Sequence, residues 1–126
     1  MKTLYLVRHA KSSWKYPKLD DFERPLNKRG RKNAPFMGSI LKELNVSPDL
    51  IVSSPANRAA MTARIMAVAL DYPLEDIRYS EAVYEFGEKA LMDVVKEIDD
   101  DVNQAMVVGH NPATNGLANY IGDQPV

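Results

Sequence analysis

The sequence places Arg8 and His9 directly after the apolar run Thr3-Leu4-Tyr5-Leu6-Val7, and His110 directly after Ala105-Met106-Val107-Val108-Gly109. These are its two histidines, and each leaves a segment that reads as a strand. A neutral imidazole is a competent nucleophile towards phosphorus, and water can hydrolyse the covalent phosphohistidine that results. Phosphoryl transfer needs in-line positioning and neutralisation of charge on the equatorial oxygens, which cationic side chains can supply. Arg58 lies near the start of a helix signalled by Ser54-Pro55, after the strand-like Asp49-Leu50-Ile51-Val52-Ser53. Helix N-termini favour anions, and a guanidinium offers a fork of donors that matches phosphate oxygens.

The elements that must position these residues follow from the hydrophobic pattern. Thr3–Val7, Asp49–Ser53 and Ala105–Gly109 are apolar runs of the kind found in strands buried on both faces of a parallel sheet. Ile77-Arg78-Tyr79 is a weaker fourth strand. Asn27 can cap a helix reaching about Leu44, with Phe36, Met37, Ile40, Leu41 and Leu44 at core-facing spacing. Pro35 inside it predicts a kink or a late start. A second helix is expected with Ser54 as cap and Pro55 at its first position, a third over about Lys89 to Ile98, and a fourth from Asn111-Pro112 to Gly122. Strands alternating with helices imply an α/β layer fold with a mostly parallel sheet and right-handed crossovers. In such sheets ligands bind outside the carboxyl ends of the strands. Both histidines and the Arg58 helix start are therefore expected at one edge.

Composition narrows the function classes. The 126 residues fit a single domain, 45% hydrophobic and 26% charged, with no repeat or linker. A net charge of −1 gives no basic field for nucleic acid, and the apolar runs are too short for a signal peptide or a membrane span. Zero cysteines exclude disulfides, thiolate nucleophiles and Cys-based zinc sites, and fit a cytoplasmic protein. No Walker-type glycine-rich loop is present, so a nucleotide-dependent reading lacks its main motif. Asp99-Asp100-Asp101 reads as a solvated turn.

Four segments carry a resemblance. Leu6-Val7-Arg8-His9-Ala10 resembles the R-H-G/A signature of the histidine phosphatase (phosphoglycerate mutase-like) superfamily. Arg24-Pro25-Leu26-Asn27-Lys28-Arg29-Gly30 is similar to the R-P-L-T-x-x-G stretch of its small members. Val52-Ser53-Ser54-Pro55-Ala56-Asn57-Arg58-Ala59 is similar to S-S-P-x-x-R-A, and Val107-Val108-Gly109-His110-Asn111-Pro112 to V-G-H-N-P. Within the superfamily the chain looks most like the SixA-type phosphohistidine phosphatases, given its length and its short connection from Ser80 to Leu91.

The resemblance implies a three-layer α/β/α fold and a metal-independent, cofactor-free phosphatase. His9 would be the nucleophile, Arg8 and Arg58 the phosphate ligands, and His110 a donor to the phosphoryl group. Arg24 would be a third cation at the rim, or else an ordinary loop charge. The family's proton-donor glutamate has no clear counterpart. Glu81 and Glu85 are candidates, although each reads more simply as a surface carboxylate. A phosphohistidine on a protein needs such an acid less than a phosphomonoester does, because its imidazole leaving group can already be protonated near neutral pH.

Alternative readings are a small phosphomonoester or sugar phosphate as substrate, a non-catalytic phosphate-binding module, and a metal hydrolase built from the two histidines with Asp20 or Asp21. Small family members usually continue into one or two further strands. This sequence ends at Gln124-Pro125-Val126, so it is expected either to be a shortened form or to leave a sheet edge open.

Overall fold

The computed structural model describes residues 3–9, 21–85 and 87–110, without the side chains at 21, 84, 85 and 88. The expected helix after Asn111, together with Asp20 and the side chains of Asp21 and Glu85, lies outside them.

The apolar runs form parallel strands: β1 (Thr3–Arg8), β2 (Leu50–Ser53), β3 (Arg78–Tyr79) and β4 (Gln104–Gly109). Their order across the sheet is β1-β4-β2-β3, and every neighbouring pair is parallel. The central strands β2 and β4 are almost wholly buried. β1 ends the sheet among the described residues and is only half-buried, which corrects the expectation of burial on both faces.

The pleat sends alternate residues to opposite faces, and this builds two cores. Met106 and Val108 of β4 join Ile51 on one face, and Ala105 and Val107 join Leu50 and Val52 on the other. Helix α1 (Lys28–Glu43) packs on α2 (Asn57–Ala69), and α2 covers the first face through Ala59, Ala63 and Met66. Helices α3 (Ala82–Glu85) and α4 (Gly87–Lys96) cover the second through Val83 and Leu91. Three layers result, an α/β fold of the expected class.

Three helix expectations need correction. α1 starts directly after Asn27, whose side-chain Oδ1 accepts the Gly30 N–H at 2.7 Å, and it runs on through Pro35 without a late start. Its buried residues are Gly30, Ala34 and Gly38, and Leu41 packs against the core as expected, but Phe36 is 66% exposed and Leu44 68%, while Met37 is also exposed. Small residues let α1 and α2 approach closely. A Cβ added at Gly38 would stand 2.6 Å from the Ala69 Cβ. α2 begins at Asn57 with Ala56 as its uncapped start, two residues later than Ser54-Pro55 implied. The last described helix spans Gly87–Lys96, displaced from Lys89–Ile98.

Candidate active site

The site is assembled by strand register. β1 and β4 pair Arg8 with Gly109, so the next residue of each, His9 and His110, leave the sheet side by side. The His9 N–H bonds the Gly109 carbonyl at 3.0 Å and prolongs the ladder by one step. The two imidazole rings lie 5.0 Å apart between centroids, tilted by 58°. On the other flank of β4, Ser53 of β2 pairs with Val108, and the Ser54 N–H bonds the Val108 carbonyl at 3.0 Å. Thus β1, β4 and β2 deliver His9, His110 and Ser54 in a row along the carboxyl edge.

Arg58 reaches this row from the first turn of α2, closer to the helix start than the sequence suggested. It is 5% exposed, and its Nε donates to His9 Nε2 at 3.4 Å. That bond is long for its kind, so it holds the guanidinium weakly. As an acceptor, Nε2 keeps its lone pair, the state a nucleophilic imidazole needs, and that lone pair points at the Arg58 N–H. The Thr62 hydroxyl donates to the Arg58 carbonyl at 2.8 Å within the same helix.

Ser54 is fully buried, and its Oγ lies 2.7 Å from His110 Nε2. The same oxygen accepts the Ala56 N–H at 3.2 Å. Sequence reasoning gave this serine only a capping role. Its contact with His110 follows from the β2–β4 register, which no local motif encodes.

The remaining candidates fall in different places. Arg24 is 8% exposed, so it is not an ordinary exposed loop charge. It follows the 3₁₀ turn Asp21–Glu23, which is tied to the start of α2 by a 3.1 Å bond from Asn57 Nδ2 to the Glu23 carbonyl. Arg8 is exposed at the end of β1. It lines the end of a mainly apolar groove of about 530 Å³ that runs between β1 and α1 past Leu4, Ala34, Met37 and Met66. Glu81 is exposed in the turn after β3, on the strand farthest from β1. Three strand spacings of about 4.8 Å put that strand roughly 14 Å from the one carrying His9. Among the described residues no three His, Cys, Asp or Glu side chains cluster as a metal ion would require. No helix among them is long and apolar enough to cross a membrane.

Paired imidazoles and a buried guanidinium at the carboxyl edge of a parallel sheet can bind and transfer a phosphoryl group. The sequence model of the histidine phosphatase superfamily (branch 1) matches residues 4–88, a span that includes His9 and Arg58. The chain belongs to the histidine phosphatase superfamily.

Individual proteins are similar to the chain as well. An uncharacterized protein of Mycobacterium tuberculosis is 34% identical over 113 residues, covering 89% of this chain and 67% of its own. A 2,3-bisphosphoglycerate-dependent phosphoglycerate mutase of Bifidobacterium longum is 39% identical over 72 residues, 54% of this chain and 28% of its own. Among solved structures, a protein assigned as phosphohistidine phosphatase SixA from Agrobacterium tumefaciens superposes with a TM-score of 0.85 at 30% identity, over 94% of this chain and 75% of that one. These likenesses confirm the superfamily, its phosphoglycerate mutase-like fold and a phosphatase of SixA-like architecture.

Proposed function

We propose that this histidine phosphatase hydrolyses phosphohistidine on a protein through a covalent intermediate on His9 and without a metal ion. The observation that carries the proposal is the convergence of His9, Arg58 and His110, with rings 5.0 Å apart and Arg58 Nε on His9 Nε2. In the first step Arg58 Nε exchanges His9 for the phosphoryl oxygens, the released Nε2 lone pair attacks phosphorus, the phosphorus–nitrogen bond of the substrate breaks, and its imidazole departs with a proton. In the second, water attacks phospho-His9. A phosphorus–oxygen bond forms, the bond to Nε2 breaks, and inorganic phosphate leaves as His9 is restored.

The guanidinium of Arg58 neutralises charge on the phosphoryl oxygens, and His110 donates to one of them. Arg8 and Arg24 are further cations within reach of a larger phosphorylated surface. The cationic setting opposes a dication, which favours this reading over a metal hydrolase. A histidine nucleophile is superfluous in a module that only binds phosphate.

Three observations support a protein substrate. β3 leads through two short helices, α3 and α4, with one residue between them, so this connection holds no long insertion. Glu81 is exposed and stands over the far strand, which suits a leaving group that needs little help from an acid. The likeness to the SixA-assigned structure of Agrobacterium tumefaciens points the same way. The similarity of about half of this chain to a phosphoglycerate mutase favours a second reading, a small phosphomonoester.

A substrate panel separates the two. Phosphohistidine protein is expected to turn over faster than any simple monoester, and the wild-type protein to trap a phosphoenzyme that is lost in His9→Ala. Wild-type hydrolysis by His9→Ala would remove the nucleophile assignment. Fast monoester turnover that collapses in Glu81→Gln would establish the second reading instead.

A further inference from the structure

We propose that Ser54 is a positioning residue for His110: its hydroxyl oxygen accepts the Nε2 proton, fixing which nitrogen of that imidazole is the donor and where it points. The inference rests on the proposed phosphoryl transfer, in which His110 must offer an N–H.

Ser54 is set up for this by the sheet rather than by its own conformation. Its N–H is bonded to the carbonyl of Val108, two residues before His110 on the neighbouring strand. Serine and histidine therefore share one rigid frame. The side chain is fully buried, and its Oγ is 2.7 Å from Nε2, short for a bond between nitrogen and a hydroxyl. A serine oxygen has two lone pairs. One receives the Ala56 N–H at 3.2 Å, which pins the hydroxyl, and the other faces the ring.

The direction of the proton follows from the chemistry. If the hydroxyl donated to the ring, Nε2 would be an acceptor occupied by Ser54 and would have no N–H to offer an anionic guest. With Ser54 as acceptor, Nε2–H is retained and can be shared between Oγ and a phosphoryl oxygen when the guest arrives. The same bond keeps the ring at its 58° tilt to His9. Ser54 need not touch the substrate. It acts through His110, as carboxylates and carbonyls behind catalytic imidazoles do.

Nitrogen-15 NMR of the full chain labelled at histidine, recorded without substrate, reads the tautomer directly. Neutral His110 is expected to carry its proton on Nε2. A proton on Nδ1 with Nε2 bare overturns the proposal, whatever the activity, and so separates its failure from failure of the phosphatase reading. Ser54→Ala is expected to lower kcat by about 10-fold or more with KM changed less than about 2-fold, and to erase the tautomer preference. Ser54→Thr, which keeps the hydroxyl, is expected to restore both. Ser54→Ala with wild-type kcat and an unchanged His110 tautomer would also overturn it.

Discussion

The imidazoles of His9 and His110 face each other at 5.0 Å because β1 and β4 are parallel and paired residue for residue up to Arg8 and Gly109. One hundred intervening positions of chain collapse into one strand spacing. Placement comes from the sheet, so chemistry and stability can be tested separately.

Arg58 is the first test of the chemistry. Arg58→Ala is expected to lower kcat/KM by about 100-fold or more, the usual cost of removing one transition-state donor. Arg58→Lys is expected to recover little, since an ammonium lacks the planar fork. Steady-state kinetics on phosphohistidine protein measures both, and near wild-type activity in Arg58→Lys would contradict a bidentate role.

Chelation is the second. Hydrolysis is expected to persist unchanged after exhaustive treatment with a chelator, because the proposed charge neutralisation is supplied by side chains. Loss of activity restored by a divalent cation would reverse this reading.

The α1–α2 contact is the third. Gly38→Ala adds a Cβ 2.6 Å from that of Ala69. The clash is expected to cost about 1–3 kcal/mol, outweighing the gain of at most about 1 kcal/mol from removing a helical glycine. Neither atom belongs to a flexible side chain, so the backbones must part. Urea denaturation is expected to show a lower midpoint, and Ala69→Gly in the same chain to recover much of it.

The cap of α1 is the fourth. Asn27→Ala is expected to lose about 1 kcal/mol, because the Gly30 N–H loses its acceptor. Asn27→Asp is expected to keep or raise stability: the first turn of α1 holds no acidic residue, and a carboxylate there meets the positive end of the helix. Thermal unfolding of the two variants checks the order.

The strands were legible because a sheet covered on both faces demands continuous apolar runs, and β2 and β4 obey that rule. The sequence also pointed to His9 and His110 at one edge of the sheet, since both follow such runs; that they are neighbours is shown by the β1–β4 pairing. The face of α1 was misread for a definite reason. Spacing of Phe36, Met37 and Leu44 marks an apolar stripe, but close packing against α2 selects Gly30, Ala34 and Gly38, which carry almost no hydrophobic signal. Ser54 was seen as a cap because its partner lies 56 positions away and only register reveals it. Arg8 stands where the motif puts it, at the end of β1 beside His9, and is exposed there.

The ladder that seats the two rings also makes the count of residues in β1 and β4 a functional quantity. One residue gained or lost within Thr3–Arg8 would slide His9 by about 3.3 Å and turn its ring to the opposite face. Substitutions along these strands can be absorbed by repacking, but insertions and deletions cannot. Variation in length is therefore confined to the connections, and a library that varies loop lengths while freezing both strands is the natural route to new specificities on this scaffold.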